Sequence, residues 1–119
     1  MSAFVPIAER QDDRLRVILR PSSGVLSSTS LACVVDLTYL GDVVGVEVLD
    51  FGRQLSGGTA PISPKGGEVR WSYDPEMDAF YIHVAEGPGQ VQRTATAVAF
   101  LDSDGRLTAI ELQPLPIVS

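Results

Sequence analysis

The chain has 119 residues, a length that suits one domain or two very small ones, and its 45% hydrophobic content excludes an intrinsically disordered protein. Its net charge of -6 argues against nucleic acid and anionic membranes as partners, because phosphate recognition needs clustered Lys and Arg. Gly 11 and Pro 8 favour turns over long helices.

The first residues, Met1-Ser2-Ala3-Phe4-Val5-Pro6, lack the charged start and long apolar run of a signal peptide. No stretch approaches the roughly 20 apolar residues of a membrane span. Cys33 is the only cysteine, which rules out an internal disulfide and a thiolate metal site and fits a reducing cytoplasm. Its apolar neighbours mark it as a core thiol.

Period-2 alternation dominates the remainder. Leu15, Val17 and Leu19 come first, then Leu31, Cys33, Val35 and Leu37, then Val44, Val46 and Val48. Phe80, Ile82 and Val84 follow, and Thr108, Ile110 and Leu112 close the series. These short, β-branched runs read as half-buried strands. No window of a dozen residues sustains a 3.6-residue period, so any helix is at most a turn or two. Asp74 to Asp78 is its expected place, with Pro75 at the first helical position. Residues 52–67 carry five glycines and two prolines and read as a linker between a first β unit, 1–51, and a second, 68–119.

The two units share a pattern. Asp13 to Leu19 lies over Asp78 to Val84, and Gly41 to Val48 over Gly105 to Leu112, at offsets of 65 and 64. Equivalent positions include Gly41 with Gly105 and Glu47 with Glu111. The expected fold is all-β, an antiparallel sandwich or barrel-like body made from two tandem, diverged copies of one hairpin unit.

In the second unit, Tyr73-Asp74-Pro75-Glu76-Met77-Asp78-Ala79-Phe80-Tyr81-Ile82 is followed by Arg93-Thr94. Leu101-Asp102-Ser103-Asp104-Gly105 then leads to Ile110-Glu111-Leu112. Over residues 69–113 this resembles the bacterial domain-of-unknown-function family 2283. The first unit keeps only the skeleton of that pattern: Tyr39 and Leu40 stand where the paired acids precede Gly105. The resemblance implies a compact antiparallel β unit in a bacterial protein. It implies no activity, and only distantly a partner of a small toxin-like protein.

Asp102-Ser103-Asp104-Gly105 reads as a hairpin turn, with Asp accepting backbone amides and Gly supplying positive φ. A calcium loop is the lesser reading, since Phe100 stands where the first carboxylate ligand belongs. Asp74 and Asp78 read as turn residues, or as ligand-binding carboxylates together with Glu47 and Glu111 if the four share a cleft. Each Glu otherwise serves as a strand charge that blunts an edge. His83 has no partners at catalytic or metal spacing. Trp71, Tyr73 and Tyr81 supply either core and seam packing or an exposed aromatic patch for a partner.

The apolar tail, with Leu115 and Ile117 around two prolines, is expected to dock on its own core or across a second subunit. No catalytic signature, cofactor or metal site is expected. The favoured reading is a non-enzymatic interaction or structural module that forms a homodimer. A small-ligand or cation-binding module using the acidic turns is the alternative.

Overall fold

A computed structural model describes residues 6–21, 27–55 and 69–117. Eight strands alternate with turns: β1 (Ile7–Gln11), β2 (Arg14–Ile18), β3 (Ser27–Leu37), β4 (Val43–Val48), β5 (Arg70–Asp74), β6 (Ala79–His83), β7 (Val91–Leu101) and β8 (Leu107–Leu112). A single turn of helix, α1 (Phe51–Gln54), follows β4. The protein is all-β. One antiparallel sheet in the order β1-β2-β8-β7-β3-β4-β6-β5 curls into a half-barrel, so the barrel-like arrangement holds and not the two-sheet sandwich.

That order reads the same from either edge once β1–β4 are exchanged with β5–β8. The long β3–β7 pair lies at the centre, with Ala32 facing Thr96 at its midpoint. β2 leaves its own unit to pair with β8, and β6 pairs with β4. The registers correspond: Val34 faces Glu47 as Val98 faces Glu111, and both pairs of strands are interrupted by a bulge, at Asp36/Leu37 and at Phe100/Leu101.

The bulge residues, Val44 and Thr108, do the same work. Val44 O accepts the amides of Val84 and Ala85, while Thr108 O accepts those of Leu19 and Arg20. Each bulge thus anchors the strand contributed by the other unit. It also changes the side-chain parity of β4 and β8. Val43 and Leu107 therefore face the core, although simple alternation would put them on the face of Glu47 and Glu111.

One face of the sheet supplies the core. Leu31, Val35, Leu37, Val46, Phe80 and Ile82 are fully buried there. Each such side chain contributes about 1.5–3 kcal/mol by leaving water. Trp71 lies in this core at 6% exposure, not in a surface patch. Arg10 Nη1 reaches Asp42 Oδ1 at 2.9 Å, tying β1 to the β3–β4 turn although the two strands are not neighbours in the sheet.

The helical turn is not at Asp74–Asp78. Asp74 ends β5, its Oδ1 accepts the amides of Glu76 and Met77, and Asp78 at φ 50 sends the chain back into β6. The side-chain-capped turn competes successfully with a helix. The helix forms instead at Phe51–Gln54, partly inside the stretch read as a linker; residues 56–67 of that stretch lie outside the described residues.

The C-terminal segment docks on its own chain. Leu115 N–H donates to Asp13 O at 2.7 Å and its side chain is buried, whereas Ile117 is 79% exposed. The other unit repeats this contact, with Phe51 N–H donating to Asp78 O at 3.0 Å.

The hairpin turns are also matched. Gly41 N–H donates to Thr38 O as Gly105 N–H donates to Asp102 O, with φ of +90 and +78 respectively. No side chain tolerates that backbone well, although open space surrounds both positions. Gly41→Val and Gly105→Val should therefore each destabilise the fold by on the order of 1 kcal/mol or more through strain alone. Chemical denaturation would measure this, with Met77→Ala, at a 68% exposed position, as a control that changes stability by less than about 0.5 kcal/mol.

Candidate functional site

The strand order keeps the two candidate glutamates apart, while Asp74 and Asp78 flank the β5–β6 turn. Glu47 and Glu111 lie on the outer face of β4 and β8, which are separated by β7 and β3, about 14 Å in an uncurled sheet. Both strands are interior, so neither Glu blunts an edge. Asp74 serves the amides of its own turn. Among the described residues, no group of three His, Cys, Asp or Glu is placed to hold a metal ion.

Asp78 is committed to the fold. Its carboxylate accepts the Gly52 amide at 3.0 and 3.1 Å and the Tyr73 hydroxyl at 2.6 Å. These bonds, the one from Tyr73 first, hold it below the usual carboxylate range. The left-handed Asp50 starts α1 without a side-chain cap of its own, so Asp78 supplies the missing acceptor from 26 residues away. Between them Phe51 packs on Phe80, with ring centroids 4.6 Å apart, and on Tyr73.

Asp102 is likewise a turn residue. Its Oδ1 accepts the amides of Asp104 and Arg106, both at 2.9 Å, and Arg20 and Arg106 flank its Oδ2. The Arg106 amide is the main reason its carboxyl titrates low.

The outer face holds a second polar cluster that the sequence pattern did not flag. Tyr81 lies across Gly45, where a Cβ would clash with its hydroxyl, and donates to Asp36 Oδ2 at 3.0 Å. Gln92 Nε2 donates to the other oxygen of Asp36. Burial pushes the Tyr81 phenol up to about 12, aided by that hydrogen bond and by the charges of Asp36 and Glu47. At the corresponding place in the other unit, Arg16 stacks on Phe100, 5.2 Å from the ring centroid, beside Ala109.

A groove of about 440 Å³ opens on this face beside the central β3–β7 pair. Glu47, Val34, Ala32 and Thr94 line it, with Leu49, Asp50 and Arg53 at the side of α1. It exists because β4 ends at Val48 while β3 continues. Gln54 fills the gap, its Oε1 accepting Ala32 N–H at 2.7 Å and its Nε2 donating to Ala32 O at 3.0 Å. A side-chain amide thereby stands in for the next peptide of β4. Arg53 is held by Asp50 at 2.7 Å. The Cys33 thiol lies on the core side of β3, where burial pushes it up to about 11 and it donates to Ala95 O, which leaves it protonated and unreactive at neutral pH.

A further hollow of about 300 Å³ lies near the end of the sheet, lined by Arg10, Asp12, Asp13, Tyr39, Leu40 and Leu115 among others. Tyr39, Leu40 and Ile117 project around it at 69%, 90% and 79% exposure. Tyr73, 43% exposed, and Tyr81 do not line this hollow, and each donates its hydroxyl to an Asp.

No family model, curated protein or solved structure matches the chain. Among the described residues, no helix is long and apolar enough to cross a membrane.

Two predictions follow from this geometry. Phe51→Ala should cost about 3–5 kcal/mol, as expected for a fully enclosed aromatic, and should loosen α1 with it; denaturation and circular dichroism test both. Tyr81 holds its proton more tightly folded than unfolded, where tyrosine titrates near 10. Its stabilising contribution is then complete below about pH 10 and is lost as pH rises toward about 12. The stability advantage of wild type over Tyr81→Phe should shrink across that window, and a difference that stays flat would contradict the assignment.

Proposed function

We propose that the protein is a non-enzymatic interaction module that works as a homodimer in the bacterial cytoplasm. The observation that carries this reading is the surface at the β1–β2 and β3–β4 turns. There Leu40, at 90% exposure, projects as a knob beside a hollow of about 300 Å³. Knob and hollow share one patch, which is the requirement for a twofold contact in which each subunit offers the other the same surface. Tyr39 and Ile117 add apolar area, and such area is costly to leave in water. Asp12, Asp13 and Arg10 around the rim supply charges of both signs for a polar border. Edge strand β1, exposed along its whole length, lies next to this surface through Arg10.

The duplicated sequence pattern and the matched strand order support a second part of the reading. The chain is a four-strand unit copied in tandem and fused, and its second copy is related to the bacterial domain-of-unknown-function family 2283. That family resemblance, with the single Cys33, supports the bacterial and cytoplasmic assignment.

Light scattering on the full chain at tens of micromolar should give twice the chain mass. Leu40→Glu or Ile117→Glu should reduce it to that of one chain, while Leu49→Glu, outside the patch, should not. A wild-type protein with the mass of one chain would remove the homodimer.

A further inference from the structure

We propose that the groove at Glu47 is a binding site for an aliphatic ammonium group, the charged end of a primary amine on a hydrocarbon stem. The two units provide an internal comparison. Glu111 occupies the register position of Glu47 and faces Arg16, with Arg14 Nη1 3.9 Å from its Oε1. Where Arg16 stands opposite Glu111, Tyr81 stands opposite Glu47. The Tyr81 hydroxyl is given to Asp36, and the second donor to Asp36 is the neutral Gln92. The remaining cation in the groove, Arg53, is held by Asp50.

Glu47 is therefore a half-buried carboxylate with neither a hydrogen bond nor an ion pair among the described residues. A carboxylate at the wall of a groove, with no cation supplied by the fold, is free to accept charge-assisted hydrogen bonds from one that comes from outside. The site is an open groove of about 440 Å³, far larger than a water molecule needs.

The walls choose the kind of cation. Of the two carboxylates in the groove Asp50 is paired with Arg53, and Glu47 alone among Ala32, Val34 and Leu49 offers too few oxygens for a hard metal ion, which takes six or more. Apolar walls suit the methylenes of an alkyl amine, whose ammonium reaches Glu47 while its stem lies along Val34 and Leu49. A free amine and the lysine side chain of a peptide present the same chemistry. The groove shares no lining residue with the hollow at Leu40, so this proposal stands or falls separately from the homodimer.

Backbone amide NMR of the full chain, titrated with n-pentylammonium and with N-acetyl-lysine-N-methylamide, tests it. Saturable shifts are expected at Ala32, Val34, Glu47, Gln54 and Thr94. Glu47→Gln, which keeps the side-chain shape, should weaken binding at least about tenfold, while Glu111→Gln should leave it unchanged. Val34→Lys, which sets the chain's own ammonium opposite Glu47, should abolish the response. Response to the lysine derivative assigns a peptide as the source, and response to the alkyl amine alone assigns a small molecule. The proposal is overturned if neither probe saturates, if Glu47→Gln binds as wild type does, or if n-pentanol produces the same shifts.

Discussion

The fold depends on an exchange of strands. β2 cannot complete a sheet with β3 and β4, because its hydrogen-bonding edge lies against β8; β6 lies in the same way against β4. The two units are consequently joined through three pairings, β2–β8, β7–β3 and β4–β6, and share one apolar face. A bulge in each unit fixes this exchange by presenting one carbonyl to two consecutive amides of the incoming strand. Removing the exchange would leave buried backbone groups on both sides without partners, which is a far larger penalty than loss of any single side-chain contact.

On this shared frame the two units differ in chemistry more than in geometry. Thr38 and Asp102 hold equivalent turns, the first with a hydroxyl and the second with a carboxylate. Phe51 and Leu115 are equivalent plugs, one started as a helix and one carried on a proline-rich segment. Tyr81 with Asp36 and Arg16 with Phe100 are equivalent cross-strand pairs in which aromatic and charged partners have traded places. Backbone hydrogen bonds set the frame, so side chains on the outer face are free to vary. That variation is what leaves Glu47 unmatched while Glu111 has arginines beside it.

Much of the fold was legible in the sequence for local reasons. Leu31 to Leu37 alternates because one face of β3 is buried, and Asp102 to Gly105 announces its turn through Asp and Gly chemistry. The shared pattern of the two units also aligns positions that the pairing puts in corresponding register. Strand β1 was not legible, because Ile7–Gln11 is exposed on both faces and carries no apolar period. β7 was obscured because its inward residues Ala95, Ala97 and Ala99 are too small to stand out. Helix α1 depends on Asp78, a tertiary partner, and no local signal marks it. The groove was beyond reach for a similar reason. Alternation says which face a residue takes but not which strand lies beside it, and Glu47 differs from Glu111 only in those neighbours.

The strand exchange also has a consequence for synthesis. A ribosome releases β1 to β4 first, before any residue of β6, β7 or β8 exists to meet them. β2, β3 and β4 then each have one edge without its final partner, and Val17, Leu31 and Val46 lack the side chains that will cover them. Nothing in the first half can finish folding until the second arrives. A chain with independently closing halves would pass through translation with its apolar surface already hidden; this one carries that surface exposed until β8 is complete.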